Sequence, residues 1–253
     1  MKRIAYVMMA FAMLFTLSCN PDDSNKGKGG KDDGSESKLG IKIDGVFTDW
    51  AAIDASYVTV AKNNPNSPWE GVVEIRCCAD PDFVYYYIKY DQETLDELLG
   101  LNDELPIRLN INVDGEFESG YLSYSLDGYD FIVEGDLGNG EGAWGEFDAT
   151  LYQRIDGAWT KPALLEPGHG LVSGKGAGRE YEIMLAKEIF NNAAAGSSVP
   201  MAFGDVFQTG IRFYETTVGN PGYWEELSNL PNTSIDEGDG SGWGHLMTVN
   251  TIK

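Results

Sequence analysis

The chain has 253 residues, with 18 Lys+Arg against 40 Asp+Glu and a formal net charge of −22. That balance argues against phosphate backbones and anionic lipid surfaces as partners, because binding to either depends on Lys and Arg displacing counterions. Neutral or cationic ligands and divalent cations fit it better, and the length suffices for one large all-β domain with a sizeable core.

Lys2 and Arg3 form a positive start, and residues 4–17 an apolar run too short to span a bilayer but of the size of a signal-peptide core. Ser18 then precedes Cys19, so residues 1–18 read as a cleaved lipoprotein leader and Cys19 as the acylated first residue of the mature chain. Thr16 stands where such leaders usually carry Leu, which keeps an ordinary secretory leader as the alternative. Asn20, Pro21, Asp22 and Asp23 resemble the surface-export tag of Gram-negative outer-membrane lipoproteins, against the plainer reading of a solvated linker start. Residues 24–38 are Gly, Ser, Lys, Asp and Glu with an Asn, too polar to repay ordering, and read as a spacer. The expected organisation is therefore a leader (1–18), a lipidated flexible linker (19–38) and a single domain (39–253). The expected location is the outer membrane, lipid-anchored and facing the cell exterior.

Beyond the linker, short alternations of apolar and polar residues separated by Gly, Asp, Asn and Pro predict strands. In chain order these are 40–43, 57–61, 72–79 and 83–90, the last a run of β-branched and aromatic residues. Residues 91–99 read as a short amphipathic helix, capped by Asp91, with Leu95, Leu98 and Leu99 on one face and Gly100 at its end. Strands follow at 108–114, 121–126, 131–134 and 150–155, with Leu109, Ile111 and Val113 facing the core and Arg108, Asn110 and Asn112 facing away. Asp156 and Gly157 predict a tight hairpin. Gly174, Lys175, Gly176 and Gly178 read as a hairpin turn rather than a phosphate loop, since the spacing and following helix of such a loop are missing. The remaining strands are 180–185, 210–214 and 246–252, with a helical turn at 186–191. The fold class is all-β, an antiparallel two-sheet sandwich of jelly-roll or immunoglobulin-like type with one or two short helices. Cys77 and Cys78 are neighbours on a strand and point to opposite faces, so two free thiols, one of them in the core, are expected rather than a vicinal disulfide.

Ile43, Asp44, Gly45, Val46, Phe47, Thr48, Asp49 and Trp50 resemble the opening of the family 9 carbohydrate-binding modules and the related DOMON-like sandwiches. Further pieces follow in the same order: 79–86 with its acidic turn, Asn112 to Glu116, Ser119 to Tyr121, Tyr129 to Glu134 and 180–188. The chain is also similar to a group of surface lipoproteins carrying this kind of domain, through Leu230, Pro231 and Asn232 and then Leu246 to Val249. The resemblance implies a β-sandwich and carbohydrate binding, with Trp50 as a packing residue beside the first strand; haem, bound by some DOMON-like domains, would want axial ligands such as Met201 and Met247.

Six tryptophans are many for one domain. Trp69, Trp144, Trp159, Trp224 and Trp243 lie in or beside Gly-, Pro- and acid-rich segments, where exposed indoles could stack on sugar rings or equally pin a loop to the sandwich. Asp114, Glu116 and Glu118, and Asp236 and Asp239, form acidic Gly-containing loops that would suit a structural calcium, or are simply solvated. His169 and His245 have no zinc-like spacing, no strained serine elbow is present, and no carboxylate pair is singled out, so no catalytic residue is assigned. The expected function is non-catalytic glycan binding by a surface lipoprotein. The competing reading is a protein-interaction or adhesion module whose partner is another surface protein, and a glycan-active enzyme or haem domain ranks below both. No cofactor other than the calcium is expected, and no nucleic acid.

Overall fold

A computed structural model describes residues 37–67, 71–100, 104–116, 120–121, 128–155, 158–159, 163–165, 171–191, 203–216, 224–232 and 246–253. Within them two antiparallel sheets pack face to face, as the alternation predicts, with two short helices at their margins. The smaller sheet runs in the order β1 (Thr59–Lys62), β2 (Val72–Ala79), β3 (Phe83–Tyr90), β10 (Glu180–Ala186) and β9 (Val172–Ala177). The larger runs β12 (Trp224–Leu230), β11 (Val206–Thr216), β4 (Pro106–Asn112), β5 (Phe131–Asp136), β6 (Ala149–Ile155) and β7 (Ala158–Trp159). β13 (Met247–Asn250) adds to β11, and β8 (Ala163–Leu165) to β6. Ile155 pairs with Ala158, which is the register a two-residue hairpin imposes.

Strand alternation builds the core between the sheets. From the larger sheet, Ile107, Leu109 and Ile111 point inward beside Phe131 and Val133 of β5 and Ile211 and Phe213 of β11. From the smaller, Ile75, Cys77, Tyr86, Ile88, Tyr181 and Ile183 point back at them. Tyr90 meets Phe213 edge-on at 5.7 Å, and the Tyr86 hydroxyl shares a 2.9 Å hydrogen bond with Thr209 Oγ1, so the polar end of a buried phenol is satisfied. The helix α1 (Gln92–Gly100) covers one end of the sandwich with Leu95 and Leu98 and is capped as expected, Thr94 N donating to Asp91 Oδ2 at 3.1 Å. Residues 251 and 252 form a seam between the layers: Thr251 N donates to Asp205 O at 2.8 Å beside the larger sheet, and Ile252 N to Ala79 O of β2 at 2.9 Å. Lys187 Nζ joins the same seam by donating to Thr251 Oγ1 at 2.9 Å. The turn α2 (Glu188–Asn191) follows it.

The smaller sheet is buried on its outer face as well, and the chain itself is the cover. Residues 37–58 cross that face without joining a ladder, which corrects the strand expected at 40–43. Leu39, Ile41, Ile43, Phe47, Trp50 and Ile53 lie on it, and Phe47 and Trp50 both have ring centroids 5.7 Å from that of Tyr87. Glu182 on β10 is the fastening. Its Oε1 accepts from Asp44 N and Gly45 N, each at 2.8 Å, and its Oε2 from Trp50 Nε1 at 3.2 Å. Gly45 has φ +79, which a side chain would resist, so the Asp-Gly pair can turn both amides toward one oxygen. This cover is why Cys78 is buried as completely as Cys77; both thiols are free.

The segment read as a hairpin turn is mostly strand. Gly174 and Gly176 sit within β9, and only Gly178, with φ +57, lies in the turn to β10. The glycines are there for close approach: a Cβ on Gly174 would stand 2.5 Å from Phe147 Cβ, and one on Gly176 2.5 Å from Trp144 Cγ.

Removing the Glu182 carboxylate leaves two backbone amides and an indole N–H without their acceptor. Glu182→Ala is expected to destabilise the fold by about 3 kcal/mol, and Glu182→Gln, which keeps one oxygen for the two amides, by about half that. Urea denaturation of both variants checks the order.

Candidate functional site

The cover leaves the outer face of the larger sheet as the sheet surface that residues 37–58 do not close. Register assembles this face from five strands. Gln208, Gly210 and Arg212 of β11 stand opposite Asn112, Asn110 and Arg108 of β4; Asn110 and Arg108 stand opposite Ile132 and Glu134 of β5, and these opposite Tyr152 and Thr150 of β6. On the far side, Asn229 of β12 faces Arg212, and Glu226 faces Tyr214 past a bulge between Phe213 and Tyr214. These are the alternate positions of strands whose other residues form the core.

The face carries charge in matched pairs. Arg108 donates to Glu134 Oε2 through Nε at 2.9 Å and Nη2 at 2.6 Å, and its guanidinium lies 5.3 Å from the Tyr214 ring centroid. Arg212 Nη1 is 3.8 Å from Glu226 Oε2, whose other oxygen accepts from Asn229 Nδ2 at 3.0 Å. Arg154 lies 5.2 Å over the ring of Tyr121, which packs on Tyr129 with 5.3 Å between centroids. Burial pushes the Tyr214 phenol up, against the downward pull of Arg108 and Arg212, so it stays neutral. The result is a face of four tyrosines, Tyr129 and Tyr214 buried and Tyr121 and Tyr152 half-buried, with several carboxamides, on which Arg108 and Arg212 are each paired with a glutamate and Arg154 lies over an aromatic ring.

Three carboxamide oxygens here are buried without a donor: Asn110 Oδ1, Gln208 Oε1 and Asn229 Oδ1 find none among the described residues. Asn110 is 5 % exposed and Asn229 1 %. The orientation of Asn229 is set by its own amide nitrogen, which donates to Glu226, so its oxygen is an acceptor.

The residues expected from sequence are distributed differently. Trp50 is in the core as expected, 2 % exposed. Trp144 is half-buried and is placed as an anchor: its Nε1 donates to Gly178 O at 2.9 Å, and its ring lies 5.2 Å from Tyr181 and 5.8 Å from Tyr90, against the bare backbone of Gly176. Trp224 begins β12 opposite Thr216 and Trp159 ends β7 opposite Arg154, but their side chains lie outside the described residues, as do Trp69 and Trp243 entirely. Asp114 and Glu116 share one exposed turn after β4, where Asp114 Oδ1 accepts from Glu116 N at 2.8 Å; Glu118, Asp236, Asp239 and Cys19 lie outside the described residues. Among the described residues no group of three or more His, Cys, Asp or Glu side chains is arranged to hold a metal ion. Met247 is buried in the core, and Met201, His169 and His245 lie outside the described residues. Sequence reasoning missed the tyrosines and carboxamides of the sheet face; their only signal is that the outward positions of β4 are Arg and Asn rather than the Lys, Glu and Thr of an ordinary wet face.

No family model matches the chain, and no curated protein matches it. What fold and site define is a class: an antiparallel two-sheet sandwich whose smaller sheet is closed by residues 37–58 and whose larger sheet carries tyrosines, carboxamides and paired ions at its outward positions.

Trp144→Ala is expected to cost about 2–3 kcal/mol, from lost packing against Tyr90 and Tyr181, and to lower Tm by several degrees in calorimetry. A separate expectation concerns Asp136 at the end of β5, whose Oδ1 accepts from Leu105 N at 2.7 Å and Gly138 N at 2.9 Å. Burial pushes this carboxyl up to about 6 despite those bonds. Between the ordinary aspartate value near 4 and about 6, the folded state keeps a proton that the unfolded chain has released, so this group's contribution to stability falls as pH rises through that window. Asp136→Asn removes that dependence: the stability of the variant relative to the parent is expected to rise from pH 4 to pH 7, as measured by urea midpoints.

Proposed function

We propose that this protein binds glycan without acting on it, as a lipid-anchored domain displayed on the outer-membrane surface. The observation that carries the reading is the joining, on one sheet face, of tyrosine rings, buried carboxamides and self-neutralised Arg–Glu pairs. Sugars present C–H faces to aromatic planes and hydroxyls to planar amide and guanidinium groups, which is the chemistry this face offers. Glu134 and Glu226 are each held by an arginine and by the sheet register, so they serve to orient Arg108 and Arg212 rather than to attack a glycosidic bond. The sheet face is the contact surface of this reading, and the strongly acidic composition agrees with an uncharged ligand.

Affinity gel electrophoresis against soluble neutral polysaccharides tests the reading. At least one polymer is expected to retard the protein, and Tyr152→Ala, which removes a partly exposed ring from the face, to weaken binding about fivefold. Migration unaffected by every polymer, together with stoichiometric capture of a surface protein that sugars do not displace, would place the molecule among adhesion modules instead.

A further inference from the structure

Independently of the glycan reading, we infer that Thr251 and Lys187 form a nucleophile–base pair at the seam between the layers, and that the cavity beside them accepts small, uncharged acyl donors with a good leaving group. The seam itself makes the pair. Backbone bonds from residues 251 and 252 to Asp205 and Ala79 fix the hydroxyl, and Lys187, whose own N donates to Asp82 O at 2.8 Å, brings its amine to it. Lys187 Nζ lies 2.9 Å from Thr251 Oγ1, within reach for a base to take the hydroxyl proton. Thr251 Oγ1 meets its other partner, Gly204 O, at 3.5 Å, a bond too long to hold that proton firmly.

The surroundings suit the amine to act as base. Lys187 is 6 % exposed, and its Nζ lies 5.3 Å from the ring centroid of Phe203 and 5.8 Å from that of Phe207. Among the described residues no carboxylate stands within 4.0 Å of it, so a buried ammonium with three donors has Thr251 as its hydrogen-bond acceptor. Such a setting disfavours the charged form. Burial accordingly brings Lys187 down to about 8, against the upward pull of Asp80, Cys77, Asp82 and Asp205. Near neutrality a fraction of the amine is then uncharged, and an uncharged amine accepts from the hydroxyl to which it otherwise donates.

The cavity sets the substrate class. It measures about 460 Å³ and is lined in part by Thr251, Lys187, Pro81, Phe203, Asp205 and Lys253, which is room for a small molecule. Thr251 is half-buried and so is the more exposed member of the pair. Lys253 is bound to Asp205 at 2.9 Å, and Asp80 and Asp82 act on Lys187, so the local charges leave no positive surplus to draw an anion. The amides of Thr251 and Ile252 are already committed to Asp205 O and Ala79 O. They cannot serve a developing oxyanion, and the donor must therefore bring a good leaving group. In the step, Thr251 Oγ1 bonds to the acyl carbon as the bond from that carbon to the leaving oxygen breaks. The hydroxyl proton passes to Lys187 Nζ, the leaving group departs as its anion, and the lysine later releases the proton to water.

The test treats the full chain with p-nitrophenyl acetate as the uncharged probe and acetyl phosphate as the anionic one, locates adducts by mass spectrometry of peptic fragments, and follows folding by Tm. An acetyl group is expected on Thr251, entering at a rate that rises with pH to a midpoint near the Lys187 value of about 8, and entering more slowly from acetyl phosphate. Lys187→Arg keeps the cation but cannot become neutral, so it is expected to slow the labelling of Thr251 about a hundredfold. Thr251→Val is expected to abolish that adduct and Thr251→Ser to keep it. An acetyl group on Lys187 in place of Thr251 overturns the pair, as does labelling confined to exposed amines. Undiminished labelling of Thr251 in Lys187→Arg makes the 2.9 Å contact a purely structural bond and overturns the inference too. Faster reaction with acetyl phosphate overturns the assigned substrate class. Should Lys187→Arg fail to fold, the pH profile of the parent decides, since a midpoint above about 10, where an ordinary lysine titrates, denies Lys187 the role of base.

Discussion

The carboxylate of Glu182 decides which side of this sandwich is finished. The smaller sheet turns Tyr85, Tyr87 and Phe83 outward from β3, a surface too apolar to leave wet, and residues 37–58 lie over it. Such a segment has no ladder of its own and would fray without a fixed point. Glu182 supplies one by holding Asp44, Gly45 and Trp50 at once. A charged acceptor bonded three times is among the stronger polar contacts available to a protein, and here it also keeps a buried carboxylate from standing alone. Burial still pushes Glu182 up, so the three donors offset desolvation only in part. Residues 37–58 close this sheet, while the outward positions of the other sheet are largely polar.

The buried carboxamides of that face are held at a cost. An unmatched buried acceptor costs about 1–3 kcal/mol, a noticeable share of the roughly 5–15 kcal/mol that keeps a domain folded. The core compensates through its dense aromatic packing, including Tyr90 between Phe213 and Trp144 and the Phe131, Phe190, Phe203 and Phe207 chain of edge-on rings.

Much of the fold was legible because local patterns and tertiary burial agree. β2 and β3 match the predicted residues at both ends, since each is bounded by a turn and rich in β-branched or aromatic side chains. The Asp91 cap, the Ile155–Ala158 hairpin and the packing role of Trp50 were readable for similar reasons. Residues 40–43 alternate like a strand because they too have one buried side, but their partner is a sheet face rather than a sheet edge. β9 was hidden by its glycines, which have no β propensity of their own and are required only because Phe147, Trp144 and Tyr181 pass so close. The site was least legible. Residues 110, 208 and 229 are far apart in sequence, and only the register of β4, β11 and β12 makes them neighbours; taken one at a time, each resembles a solvated strand position.

The seam at residues 251 and 252 bears on how the molecule is made. Its amides reach Asp205 and Ala79, so this backbone link between the layers forms only once that stretch has left the ribosome, while the cover over the smaller sheet must wait for Glu182. Both fastenings are therefore completed late in synthesis.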